Sequence, residues 1–206
     1  MLLNLENLIK KYNLNLKGVL HIGAHFGREM DAYKKANIKN VMFFEPLPHT
    51  FEKLKQYVGE NNAIFVNKAL GNKIGKADMY VEYDNESQSS SLLEPMLHVT
   101  QYPNIKFNDK IEVEIDKLDN IPYNRNDFNF INIDVQGYEL EVFKGAIKSL
   151  NTIDIIMTEI NRANLYKDCV LEDELDEFLL KHYNFKRVET FWAGGTWGDA
   201  LYIKNK

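Results

Sequence analysis

Short apolar runs that end on a glycine or a carboxylate recur along this chain, separated by stretches with helical spacing. Lys17–Gly23 (KGVLHIG) is a buried strand closed by glycine. Arg28–Lys35 follows as a helix, Asn40–Phe44 (NVMFF) as a second strand, His49–Tyr57 as a helix beyond Pro46, and Ala63–Val66 (AIFV) as a third strand. This β-α-β-α-β alternation predicts a parallel sheet with crossover helices. Lys76–Tyr83 and Lys110–Ile115 read as strands, and the polar stretch 84–109 between them is either a substrate lid or a structural excursion. Alternation then resumes with strand Phe128–Ile133, helix Tyr138–Leu150, strand Ile153–Ile160, helix Leu171–His182, and strands Phe185–Thr190 and Asp199–Lys204. Only Phe191–Gly198 joins the last two strands, too short for a crossover, so they must run antiparallel. Within residues 1–16, Leu5, Leu8, Ile9 and Tyr12 fall at i, i+3, i+4 and i+7, an amphipathic helix expected to pack on the domain.

Composition narrows the reading. A length of 206 residues fits one domain, 1–206. The net charge of -5 and the scattered lysines give no electrostatic footprint for nucleic acid. Cys169 is the lone cysteine, so no internal disulfide forms, which fits a reducing, cytoplasmic setting. Glu6, Lys10 and Lys11 interrupt the apolar residues too early for a signal peptide. No run approaches the roughly 18 apolar residues of a membrane span.

Ligands of open α/β sheets bind at the carboxyl ends of the strands, so chemistry is sought there. After the first strand comes His21-Ile22-Gly23-Ala24-His25-Phe26-Gly27. Gly23 and Gly27 permit a tight turn, and a following helix start suits an anion such as a methionine carboxylate. The dinucleotide pattern G-x-G-x-x-G fails, because His25 and Arg28 hold its second and third glycine positions; this argues against NAD or FAD. The acidic-x-G-x-G-x-G form of methyl-transferring enzymes matches in part, with His21 at the acidic position and His25 at the middle glycine. After the second strand, Glu45 stands between Phe44 and Pro46, where a carboxylate can accept both ribose hydroxyls of an adenosyl group. Asn67 and Ala69 follow the third strand and are candidates for the adenine wall. Asp134, Val135, Gln136 and Glu139 follow the strand Phe128–Ile133, and Glu159, Asn161 and Arg162 the next. Two carboxylates at a cleft mouth suit a general base. Asp134, Glu159 and Asn161 are oxygen ligands compatible with Mg²⁺, but holding loops is the favoured alternative and no metal site is assigned.

These segments resemble the FkbM-type methyltransferases. The matching pieces are VLHIGAHFGRE at 19–29, FFEPLPHTFEKL at 43–54, NKALGNKIG at 67–75, SSSL at 89–92, IDKLDNI at 115–121, NFINIDVQGYELEVFKGA at 129–146, MTEIN at 157–161 and WGDALYIK at 197–204, in family order. The resemblance implies an α/β, Rossmann-like class I methyltransferase fold: a mostly parallel seven-stranded sheet with an antiparallel C-terminal strand, flanked by helices. It also implies S-adenosylmethionine as methyl donor and O-methylation of a hydroxyl on a sugar, glycan or small natural product. Carried over by position, His21, Gly23, Ala24, His25, Gly27, Glu45, Pro46 and Val135 hold the cofactor, with Asn67 and Ala69 near the adenine and Asp134 beside the methyl group. Members often carry aspartate where His21 stands, asparagine where His25 stands and glutamate where Gln136 stands. Asp134 is the expected base or orienter, with His25 the next candidate. Ser89, Ser90, His98 and Tyr102 of the 84–109 segment are expected over the acceptor, with Glu139 and Glu159 facing it. Trp197 reads as core, while Trp192 is either core or a stacking platform. The rival readings are an inactive cofactor-binding module and a methyltransferase acting on a protein.

Overall fold

A computed structural model of the chain describes residues 2–59 and 63–205. The main sheet has seven strands: β1 (Gly18–Ile22), β2 (Asn40–Phe44), β3 (Ala63–Val66), β7 (Phe130–Ile133), β8 (Ile155–Asn161), β9 (Phe185–Ala193) and β10 (Trp197–Lys204). Their spatial order is β3-β2-β1-β7-β8-β10-β9. All neighbours pair in parallel except β10, which is antiparallel to both β8 and β9. The expected antiparallel closure is therefore present, and its tight turn uses Gly194 and Gly195 at φ 66° and 92°. A smaller sheet of three strands, β4 (Ala69–Leu70), β5 (Gly75–Val81) and β6 (Asp109–Asp116), sits beside it in the order β4-β6-β5. The two-residue β4 had no periodicity to announce it; it exists because Ala69 and Leu70 pair with Ile115 and Asp116.

Parallel strands covered on both faces are apolar at successive positions. Every residue of β1, β7 and β8 is buried accordingly. Their alternate side chains feed two cores. Leu20, Met42, Ile131 and Ile156 face one side with α5 (Glu139–Lys144) and α6 (Glu172–Tyr183). Val19, Phe43, Phe130 and Met157 face the other with α1 (Leu5–Tyr12), α2 (Met30–Lys35) and α3 (Pro48–Val58). The N-terminal helix forms as expected. Asn4 caps it by accepting from the Asn7 N–H, Asn13 ends it in the left-handed region, and Leu5 and Leu8 are buried.

Two expectations need correction. The helix expected over Tyr138–Leu150 is only α5, followed by a turn and a short 3₁₀ segment at Ser149–Asn151. Gly145 explains the break: its backbone lies so close to Gly71 that a Cβ there would stand 1.9 Å from the Gly71 carbonyl oxygen. The 84–109 stretch is not one open loop. It holds α4 (Leu97–Gln101) and folds back on itself around the buried Glu82, whose carboxylate accepts from the Asn85 and Ser89 N–H groups. Among the described residues no helix is long and apolar enough to cross a membrane.

Candidate active site

The strand order reverses between β1 and β7, and a crevice opens beyond their carboxyl ends, where sheets of this kind bind ligands. The two strand ends touch there: a Cβ on Gly23 would lie 1.9 Å from the Asp134 carbonyl oxygen, and Gly23 has φ 75°. Only glycine fits that position. Gly27 also needs its missing side chain, but for packing, because a Cβ would stand 2.4 Å from Leu54. The expectation that Gly27 lines the ligand is replaced by this role under the loop.

The loop after β1 satisfies much of its own backbone. Gly23 and Ala24 donate to the Phe44 carbonyl, at 3.0 and 2.9 Å, and Gly27 donates to Ala24. His25 adopts a left-handed backbone, φ 50°, and its N–H donates to Glu45 Oε2 at 2.9 Å. Glu45 Oε1 accepts from Leu47 N–H, also at 2.9 Å. Each Glu45 oxygen thus takes one backbone donor and keeps a lone pair for another. Burial pushes this carboxyl up to about 7, against the pull of those two N–H groups.

His21 is buried and linked in a chain: Asn132 Nδ2 donates to the Tyr33 hydroxyl at 2.6 Å, which lies 3.1 Å from His21 Nδ1. Burial lowers the imidazole to about 4, so it is neutral at ordinary pH. The His25 ring stacks on Phe26 with centroids 3.8 Å apart, and Nε2 lies 2.7 Å from the Glu86 carbonyl. A carbonyl only accepts, so Nε2 carries the proton and Nδ1 is left with a lone pair.

Two cavities occupy the crevice. The larger, about 620 Å³, is walled by His21, Ala24, His98, Asp134, Glu159 and Trp197, among others. The smaller, about 60 Å³, lies between Glu45, Pro46, Ala69, Ser90, Val135 and Tyr138. The larger is within the size range of small-molecule sites, about 300–1,000 Å³. Most of the expected residues therefore converge. Ser90 lines the small cavity rather than the large one, away from where an acceptor was expected.

Asn67 and Glu139 do other work. Asn67 Nδ2 donates to the carbonyls of Glu45 and Pro46, at 2.8 and 3.0 Å, and braces the turn after β2. Glu139 is fully buried, and its Oε1 accepts from the N–H groups of Val135 and Gly137, stapling the β7–α5 turn. Both residues hold loops, and neither lines either of these two cavities.

Sequence reasoning passed over a network behind Asp134. Gln136 Nε2 donates to Asp134 Oδ1 at 2.7 Å and to Glu159 Oε2 at 2.9 Å. The Tyr166 hydroxyl reaches Gln136 Oε1 at 2.9 Å and the Ser89 carbonyl at 2.7 Å. Asp199 pairs across the sheet with Glu159 and accepts from Leu2 and Leu3 N–H. Burial raises the carboxyls of Asp134, Glu159 and Asp199, and the negative neighbours add to it. Counting out from the Gly194-Gly195 turn sets Asp199 opposite Phe191 on β9; its pairing with Glu159 crosses to β8, and nothing local marks that contact or Tyr166. The gap between Asp134 and Glu159, where a cation would sit, holds the Gln136 amide, and among the described residues no three His, Cys, Asp or Glu side chains converge as a metal cage. Trp197 lines the large cavity, its Nε1 donating to the Tyr102 hydroxyl at 2.8 Å, and so is not simply core. Trp192 packs on the core and carries the Arg162 guanidinium 3.5 Å over its ring, which takes up a stacking face.

Comparison with known proteins bears on the fold and the family. A curated relative, the 2-O-methyltransferase NoeI of Sinorhizobium fredii (strain NBRC 101917 / NGR234), is 25% identical over 158 residues, 72% of this chain. The chain spans 65% of that relative's length. The fold matches the 1,6-didemethyltoxoflavin-N1-methyltransferase of Burkholderia thailandensis with a TM-score of 0.53 and 13% identity, over 98% of this chain and 76% of the other. It matches the magnesium protoporphyrin IX methyltransferase of Synechocystis PCC 6803, solved with bound SAM, with a TM-score of 0.54 and 10% identity, over 97% and 76%. The model of the methyltransferase FkbM domain matches residues 21–187, most of the chain, from the first strand into β9. The chain belongs to the FkbM methyltransferase family.

Proposed function

We propose that this chain transfers a methyl group from S-adenosylmethionine to a hydroxyl oxygen of a sugar, glycan or small natural product. The observation that carries the proposal is the pair of cavities that meet beside Asp134. The small one offers what an adenosyl group needs: the spare lone pairs of Glu45 for ribose hydroxyls and the flat surfaces of Pro46, Ala69 and Val135 for the base. The large one has room for the amino-acid end and for an acceptor. The oxygen acceptor is supported by the name of the curated relative, a 2-O-methyltransferase.

When bound, the cofactor supplies a methyl group already activated as a sulfonium. The protein's task is alignment and proton removal, and alignment alone can lower a barrier by about 7–11 kcal/mol. Asp134 stands where both cavities are reached and takes the hydroxyl proton as the acceptor oxygen forms its new bond. His25 Nδ1, which keeps its lone pair once Nε2 donates to the Glu86 carbonyl, is the second candidate for that proton. His98 and Trp197, both in contact with Tyr102 in the wall of the large cavity, supply ring surface against an acceptor. The strap from 84 to 108 keeps water out by bonding to the body at Glu86, Ser91 and Tyr102.

Thermal unfolding with S-adenosylmethionine, S-adenosylhomocysteine and NAD tests the cofactor. Ligand at 100 times its Kd stabilises by about 2.7 kcal/mol, so a rise of several degrees with the first two and none with NAD is expected. A rise with NAD alone would overturn the proposal. Methyl transfer to a panel of sugars then tests the acceptor, and Asp134→Asn should lower turnover by about 10²-fold or more.

A further inference from the structure

Five residues line both cavities: Gly23, His25, Gln88, Asp134 and Gln136. A ligand reaching from Glu45 in the small cavity into the large one must pass this junction. Only Asp134 of the five carries a carboxyl group, and Asp134 is tied to a second carboxyl, on Glu159, through Gln136. The geometry points to Gln136 as the positioning residue that keeps Asp134 charged and aimed at the junction, so that the site favours a sulfonium over its neutral thioether product. The inference rests on the cofactor reading above.

The argument starts from the amide's two N–H groups. One goes to Asp134 and the other to Glu159, while Oε1 faces the Tyr166 hydroxyl. Asp134 fixes which way the amide faces, because an ionised carboxylate oxygen only accepts and so must meet the NH₂; the single Tyr166 hydroxyl proton is divided between Gln136 Oε1 and the Ser89 carbonyl. The backbone cooperates: Gln136 and Gly137 both have positive φ, 55° and 95°, which returns the side chain over the end of β7.

Two carboxyl groups on adjacent strand ends, with nothing between them, cannot both ionise and come to share one proton. The shared proton would take the charge from Asp134. An amide between them changes this, because each N–H favours an ionised partner. Glu159 is the one that keeps a proton, being buried and flanked by Asp134, Glu139 and Asp199, with only Asn161 Nδ2 donating to its other oxygen at 3.4 Å. Asp134 is only partly buried and opens to both cavities. Several other titratable groups surround the pair. His21, His25, Arg28 and Glu29 face it from the β1–α2 side, and Tyr166 from the segment after β8. His21 is neutral and Arg28 is paired with Glu86, so Gln136 is the donor in direct contact with both carboxyls.

A charged Asp134 attracts a sulfonium and does nothing for the thioether that remains after methyl transfer. Gln136 therefore acts on the ratio of the two affinities and on product release. Titration calorimetry of the whole chain with S-adenosylmethionine and S-adenosylhomocysteine, from pH 5.5 to 8.5, tests this. In Gln136→Leu the first ligand should bind about fivefold or more weakly at pH 7, with the second within about twofold of wild type, since only the charge differs. The pH at which the preference is lost should also move upward. Adding Glu159→Gln to Gln136→Leu should restore the preference, because the proton-sharing partner is gone. If Gln136→Leu does not fold, Tyr166→Phe removes the hydroxyl that faces the amide oxygen, loosens the amide, and should shift the ratio the same way by a smaller amount. Equal loss of both ligands, or a ratio unchanged in whichever variant folds, overturns the inference while leaving the cofactor reading intact. A wild-type chain that binds neither ligand overturns both.

Discussion

At the residue scale, the buried acids and imidazoles make stability depend on pH in opposite senses. Glu45, raised from 4.5 to about 7, keeps a proton in the folded chain that the unfolded chain releases. Its contribution is fully present below pH 4.5 and is lost as pH rises through 7. Urea unfolding should therefore show Glu45→Gln gaining on wild type between pH 5 and pH 8, by on the order of 3 kcal/mol. Parallel stability curves would mean that Glu45 is ionised throughout. His21, lowered from 6.5 to about 4, works the other way: the unfolded chain takes up the proton first, so stability falls as pH drops through that window. The residues that close a strand were legible from sequence, because a glycine or acid after an apolar run has few other reasons to be there. Gly23, Glu45 and Asp134 are of this kind. Asn67, Gly27 and Glu139 share the same signal but brace turns or, for Gly27, leave room for Leu54. Sequence position says that such a residue is needed, and only the third dimension says for what. Gln136, Tyr166 and Asp199 meet through contacts far apart along the chain, which no local pattern encodes.

Among elements, the strands were the most legible, since a run buried on both faces must be apolar throughout, as β1, β7 and β8 are. Helix α5 was overextended because Val142, Phe143, Ala146 and Leu150 keep helical spacing across a glycine. The approach of Gly71 to Gly145 was invisible. It has a measurable consequence: Gly145→Ala should lower the denaturant midpoint by the equivalent of about 3 kcal/mol, because the new carbon meets backbone that cannot move aside. A surface-like cost below about 0.5 kcal/mol would show that the two segments part easily. The outer part of the strap is tied to the β9–β10 hairpin by Trp197 to Tyr102 and Thr196 to Gln101, at 2.8 and 2.9 Å. Trp197→Phe should speed proteolytic nicking within 84–108 and leave global unfolding little changed, the behaviour of a locally opening segment. Nicking at the wild-type rate would place the strap's stability in Tyr166 and Ser91 instead.

For the whole molecule, the order of the strands explains why one crevice gathers residues from 21 to 199. β1 and β7 lie side by side at the centre, and β8 and β10 continue outward from β7, so their ends share one rim. Hydrogen exchange with S-adenosylhomocysteine should slow at 23–28, 84–102 and 134–137, while α6, on the core face away from that rim, keeps its rate. Slowing spread evenly over the chain would signal global stabilisation without a site at this rim. The strap has one more property that its position confers. It leaves from β5 and returns to β6, and these strands are paired antiparallel in the small sheet, with Val81 opposite Asp109. Its two ends are therefore anchored by each other in the small sheet, while its middle bonds to Trp197 of β10 and to the segment after β8. Doubling the length of such a closed segment costs only about 0.6 kcal/mol in chain entropy. The part of the strap beyond Leu92, which meets the large cavity through His98, Tyr102 and Ile105, is thus an exchangeable cassette, while Ser87, Gln88, Ser90 and Leu92 stay with the small cavity. Replacements of other lengths and linings can be grafted between Leu93 and Asn108 to change what the large cavity admits, without rewriting the sheet beneath.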